Sequence, residues 1–161
     1  QGLNIEIGNT DAEGRVILSD ALCLASEQKP DLIIDLATLT GAARVALGAD
    51  LPALFSNNDL IAQEILEMGL RYEDHLWRMP LYQPYKALLK SHIADFNNMS
   101  KSSYGGAITA ALFLESFIGQ NIPWCHIDLM AFNTSSKVTR PEGGEAMGLR
   151  ALFHMLEKRY A

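Results

Sequence analysis

Two cysteines in 161 residues, Cys23 and Cys125, are too few and too far apart for a disulfide framework. Both sit in apolar stretches, so free buried thiols in a reducing, cytoplasmic setting are the expectation. No Cys-x-x-Cys pair and no His-Glu-x-x-His motif occurs, which excludes a thiolate zinc site and a helix-borne zincin. Lysine and arginine total 13 against 19 acidic residues, a net charge of −6, and the basic residues are scattered. The clustered positive surface that nucleic acid requires is missing, so no nucleic-acid partner is expected. No apolar run approaches the ~20 residues of a membrane-spanning helix, and the first residues carry no basic-then-apolar leader pattern, so no membrane partner is expected either. Internal repeats and low-complexity linkers are also lacking, and the chain reads as one folded unit over 1–161. With 48% hydrophobic residues it can bury a core of ordinary size.

What is present alternates between short apolar runs and helical periodicities. An apparent strand spans Leu3–Ile7. Leu18, Ala21, Leu22 and Ala25 mark one face of a helix that ends before Lys29-Pro30. Residues 32–37 read as a strand buried on both faces, with Asp35 as its polar interruption. A short helix over 42–47 is closed by Gly48, a strand lies near 53–56, and Leu60, Ile61, Ile65 and Met68 define a helix stopped by Gly69. Pro80 limits regular pairing over 76–81. Residues 85–89 read as helical, 93–96 as extended, 97–104 as a polar loop, 108–118 as a helix, 124–130 as a strand and 146–158 as the closing helix. Strands separated by helices predict a three-layer α/β/α arrangement with a mixed, largely parallel central sheet.

The most charged feature is Asn9-Thr10-Asp11-Ala12-Glu13-Gly14-Arg15. In an extended backbone Asp11 and Glu13 would point the same way. Two like charges so placed call for a divalent metal or a shared proton between them. Arg15 is suited to hold a small oxyanion or to clamp one carboxylate in a forked pair. The plainer reading is a polar turn. At Ala37-Thr38-Leu39-Thr40-Gly41, a strand runs into a helix at the edge of the sheet where α/β folds carry ligands, and either threonine can cap that helix. Here the plainer reading is a capped helix with an uninvolved glycine. Gly105-Gly106 reads mainly as a close helix approach rather than an anion nest. The four histidines, His75, His92, His126 and His154, are dispersed and read as structural, and Asp128 stands two residues beyond His126 in a position to accept its hydrogen bond.

The segment 9–15 resembles the signature of the leucyl aminopeptidase family of dinuclear metallopeptidases, also called cytosol aminopeptidases. Asp35-Leu36-Ala37-Thr38-Leu39-Thr40-Gly41-Ala42, Gly105-Gly106-Ala107-Ile108-Thr109-Ala110 and His126-Ile127-Asp128 resemble later blocks of the family in order and spacing, so the resemblance covers essentially the whole chain. It implies that Asp11 and Glu13 are metal ligands for two divalent ions, zinc or manganese, and that Arg15 holds bicarbonate or a similar anion that assists proton transfer. It implies that Thr38 and backbone groups of Leu39 and Gly41 align a peptide with a free N-terminus, whose first bond is hydrolysed. It also implies a cytoplasmic homo-oligomer, a hexamer at full length. Family members carry two further aspartates and two lysines of the site in an earlier segment that has no counterpart here. The expectation is therefore a C-terminal, incomplete portion of the catalytic domain, inactive in isolation. The alternatives are an assembly or protein-interaction module and a carboxylate-pair hydrolase without metal. Ala131-Phe132-Asn133 and the stretch 139–146 depart from the commonest family pattern and resemble a bacterial subgroup.

Overall fold

The computed structural model describes residues 2–161. Its main sheet has four strands: β2 (Ile33–Ala37), β3 (Ala53–Ser56), β4 (Trp77–Arg78) and β6 (Trp124–Asp128), in the order β2-β6-β3-β4. The sheet is mixed: β2 runs parallel to β6 and β3 parallel to β4, while β3 and β6 are antiparallel. The predicted first strand shortens to β1 (Ile5–Glu6), which pairs in parallel with β5 (Phe96–Asn97) in a separate two-stranded sheet, and a third small sheet joins β7 (Phe132–Asn133) to β8 (Gly143–Gly144).

Five helices complete the layers: α1 (Glu13–Glu27), α2 (Gly41–Leu47), α3 (Asp59–Arg71), α4 (Gly106–Glu115) and α5 (Leu149–Tyr160). The period-two alternation of a strand decides which side chain meets which layer. Cys125 and Ile127 of β6 and Leu54 of β3 pack with Ile61, Ile65, Ala151 and Met155 of α3 and α5. On the opposite face Trp124 packs with Leu22 of α1 and Leu112 and Phe113 of α4, while Ala53 and Phe55 meet Ala43 of α2 and Ala107 and Ala111 of α4. The three-layer α/β/α expectation holds. Helix α4 is apolar on every side because it lies under α1, α2 and the 3₁₀ turn Gln83–Leu89, and Leu112, Phe113 and Leu114 are fully buried within the chain.

Several boundaries move for local reasons. Gly69 does not stop α3, which runs on to Arg71; a Cβ at Gly69 would stand 2.7 Å from the carbonyl oxygen of Asp74, so the glycine permits a close crossing instead. The closing helix starts at Leu149 rather than 146, because Gly148 adopts φ 79° and the Asp74 carboxylate accepts hydrogen bonds from the N–H groups of Gly148, Arg150 and Ala151. On α1 the buried face is Ser19, Leu22, Cys23 and Ser26, with Ala21 turned outward. The serines are tolerated there because each hydroxyl has a partner: Ser19 donates to the Val16 carbonyl and Ser26 accepts from Gly119 N–H. Among the described residues no helix is long and apolar enough to cross a membrane.

Candidate active site

Because β2 and β6 are parallel, their carboxyl ends adjoin, with Ala37 opposite Asp128. The chain leaving β2 turns there into α2. Asp128, 2% exposed, holds that turn: one carboxylate oxygen accepts from the N–H groups of Leu39 at 3.0 Å and Thr40 at 3.1 Å, and the other accepts from the Thr40 hydroxyl at 2.6 Å. The Thr40 oxygen in turn accepts from Ala43 N–H at 3.0 Å and so caps α2.

The facing wall comes from residues 9–15. Of the two readings of this stretch the turn holds and the extended one does not: a 3₁₀ turn over Thr10–Ala12 feeds directly into α1, because the Asn9 side chain caps it by accepting from Asp11 N–H at 2.8 Å. Helical residues two apart point in widely different directions, so Asp11 and Glu13 do not stand side by side on an extended strand. Both remain exposed, and both line the same cleft. The loop is fixed from behind by the fully buried Asn98, whose Oδ1 accepts from Gly8 and Asn9 N–H and whose Nδ2 donates to the carbonyls of Asn9 at 2.8 Å and Ala12 at 3.4 Å.

Half-buried Arg15 donates from Nη1 to the Asn98 carbonyl at 3.0 Å. No ion pair of the described residues includes it, so the forked pairing with Asp11 or Glu13 is not formed. Burial pushes its guanidinium below the usual arginine range, and the nearby charge of Asp128 opposes that shift. A cation under this penalty, with hydrogen-bonding capacity left over, suits a small anion.

The cleft between the walls has a volume of about 600 Å³ and is lined by Asp11, Glu13, Arg15, Thr38, Leu39 and Gly41 together. All six residues singled out in the sequence thus meet at one place. Asp11 and Glu13 bring hard anionic oxygen donors to its lining, which fits a divalent cation. Among the described residues no group of three or more His, Cys, Asp or Glu side chains converges, so the fit consists of this pair alone. Gly106 reaches the cleft from α4, where a Cβ would lie 3.1 Å from the Ala42 side chain; close helix approach is the role that the structure gives the glycine pair.

His126 departs from its expected partner. Its Nδ1 lies 2.5 Å from Asp35 Oδ1 across the strand pair, and Trp124 Nε1 donates to the other oxygen of Asp35 at 2.6 Å. Asp128 shares the strand with His126 but turns to the 38–40 loop, so Asp35 braces the strand pair and Asp128 the loop. The polar interruption noticed in β2 is therefore an internal brace between β2 and β6. Sequence reasoning passed over Asp128 and Asn98 as site-builders. Their partners lie more than 80 residues away, and the only local signal was a carboxylate or amide in an otherwise apolar or turn-like setting.

Comparison with known proteins gives a consistent result. The model of the cytosol aminopeptidase family catalytic domain matches residues 1–153. A probable cytosol aminopeptidase of Chlorobium phaeobacteroides is 49% identical, covering 98% of this chain and 31% of its own length, and one of Parasynechococcus marenigrum is 50% identical over 96% and 32%. The crystal structure of a cytosol aminopeptidase from Coxiella burnetii superposes with a TM-score of 0.95 at 57% identity, covering 99% of this chain and 35% of that one. The bottromycin maturation enzyme BotP in complex with Mn superposes with a TM-score of 0.89 at 39% identity, covering 98% and 36%. The chain spans about a third of the length of the curated relatives it matches.

Proposed function

This chain belongs to the cytosol aminopeptidase family, and on that premise we propose that the protein carrying it hydrolyses the first peptide bond of peptides with a free N-terminus in a metal-dependent reaction. The observation that carries this reading is the convergence of Asp11, Glu13, Arg15, Thr38, Leu39 and Gly41 on one cleft at the carboxyl ends of β2 and β6. In it, 1–161 is the C-terminal part of the catalytic domain.

Asp11 and Glu13 are the carboxylates that hold the divalent ions, zinc or manganese. The relative solved with manganese supports the second choice. When bound, such ions supply Lewis acidity and an activated water. The chain's own residues do the rest. The 38–41 turn presents backbone groups that align the peptide. Leu39 N–H is already taken by Asp128, so Leu39 offers its carbonyl oxygen, an acceptor for a peptide or amino N–H. Arg15 holds a bicarbonate-like anion close to the reacting carbonyl, where the anion relays a proton. Holding peptide and carboxylates in one cleft converts an encounter into an oriented reaction, and this positioning is what the backbone network supplies. The names borne by the relatives support a cytoplasmic setting, and from the family resemblance we propose a homo-oligomer, a hexamer for the full-length protein.

The test is hydrolysis of leucine p-nitroanilide by the full-length protein, with metal content measured on the same sample. Activity that disappears on chelation and returns with Mn²⁺ or Zn²⁺ is expected. A fully metallated protein inert toward aminoacyl anilides and dipeptides would refute the assignment. That same result would favour the second reading, a module for assembly. Light scattering at working concentration checks the oligomer, and a stable monomer would contradict it.

A further inference from the structure

Beyond the ligand pair and the substrate loop, the structure holds one buried carboxylate that touches neither cleft nor solvent but fixes three groups of the loop at once. Asp128 is 2% exposed, and both its oxygens are used: Leu39 N–H and Thr40 N–H on one, the Thr40 hydroxyl on the other. Burying a carboxylate is costly unless its hydrogen bonds are made, so this geometry is selected strongly over alternatives. Thr40 closes a relay. Its hydroxyl donates to Asp128 and accepts from Ala43 N–H, so the carboxylate, the loop and the start of α2 form one hydrogen-bonded unit. Asp128 also contributes negative charge to the surroundings of Arg15 on the facing wall.

Two consequences follow for a ligand in the cleft. With its N–H groups drawn inward, the loop shows Leu39 to the substrate as a hydrogen-bond acceptor. The direction of the Leu39 carbonyl is then set by a residue 89 positions away in the chain rather than by the loop itself. Gly41 follows at the first position of α2, where, apart from its chain neighbours and its own helix backbone, no atom of the described residues lies within 4 Å of the space a side chain would take, leaving that side open to a ligand.

We propose that Asp128, acting through Thr40, is a positioning residue that sets the substrate-aligning register of the 38–41 loop. The proposal rests on the aminopeptidase reading for its kinetic consequence and on hydrogen bonding alone for its structural one, so the two can fail separately. It is tested in the full-length protein with Asp128→Ala, Thr40→Val and Thr40→Ser. Amide exchange is the readout independent of activity. In Asp128→Ala, Leu39 and Thr40 should exchange at least about tenfold faster than in the parent, while residues of β6 keep their protection. Kinetically, Thr40→Val should raise KM for an aminoacyl anilide roughly tenfold and lower kcat much less, with metal content unchanged, and Thr40→Ser, which keeps the hydroxyl, should restore the parental KM. Unchanged exchange at Leu39 and Thr40 would overturn the proposal. So would activity that falls only in step with the folded fraction while KM stays fixed. If Asp128→Ala does not fold, the valine and serine pair decides through KM and exchange. If the parent protein lacks peptidase activity, the functional reading fails while the exchange result still decides the role of Asp128.

Discussion

Single side chains in this fold separate into those that face the cleft and those that hold it. Glu13 belongs to the first kind: it is exposed and makes no hydrogen bond or ion pair within the described residues. In the full-length protein Glu13→Gln should therefore cut turnover by at least about a hundredfold through the lost anionic ligand, with the melting temperature of the metal-free protein almost unchanged. Near-parental turnover with full metal content would remove Glu13 from the ligand set. Arg15→Ala should cost less activity and leave metal content intact, because in the proposed role the arginine, held by the Asn98 carbonyl, positions an anion and not a cation. Loss of the metals in that variant would show that its charge organises the carboxylates. Cys125 belongs to neither kind: it is packed in the core between the sheet and helices α3 and α5. Burial pushes its thiol from the ordinary 9.0 up to about 11, so at pH 8 it should react with a disulfide reagent only after unfolding. Because the folded thiol ionises later than the unfolded one, its contribution to stability is complete below pH 9 and is lost as pH rises toward 11. Prompt labelling of Cys125 in the native protein at pH 8 would contradict this placement.

At the level of helices and strands, the caps matter as much as the apolar faces. The start of α5 has no side-chain cap of its own; Asp74, from the turn after α3, supplies it by accepting three backbone N–H groups. Replacing it with alanine strands those donors in a buried setting, and we expect a loss of about 2–4 kcal/mol in a urea titration with cooperativity preserved. A loss below about 1 kcal/mol would mean that water replaces the cap. The same distinction explains what the sequence made legible. Strand β2 and helix α2 could be read because their apolar runs and the bounding Pro30 and Gly48 act locally, and α3 because of its apolar periodicity, although Gly69 does not end it. The site blocks could be read as blocks, and all six of their residues do meet. For 9–15 the polar-turn reading holds over the extended one because Asn9 is a helix-starting cap, and that cap outweighs the alternation of Asp11 and Glu13. Asp128 was paired with its strand neighbour His126 because a strand brings i and i+2 to one face, but each residue found a stronger partner across the parallel β2–β6 pair or its loop. Such long-range choices leave no periodic trace in a sequence.

For the molecule as a whole, the same fold that assembles the cleft also limits what these 161 residues do by themselves. Both walls are rigid: Asn98 braces the carboxylate side and Asp128 the substrate side. Rigidity orients ligands but does not add donors, and within the described residues the converging anionic donors are Asp11 and Glu13 alone. Affinity for a hard divalent ion grows with the number and charge of its oxygen ligands, and two carboxylates on adjacent turns leave most of the coordination shell to water. A polypeptide of just this sequence, shown to be folded by circular dichroism, should therefore bind Mn²⁺ on the order of a hundredfold or more weakly than the full-length protein in calorimetric titration. It should also turn over no leucine p-nitroanilide. The fold should still form, because the sheet is packed on both faces by helices of this same stretch, so weak binding will not reflect unfolding. Tight, stoichiometric Mn²⁺ binding by the short polypeptide would show that Asp11 and Glu13 suffice as ligands. In that case the rigid walls, and not additional donors, would be the main source of affinity.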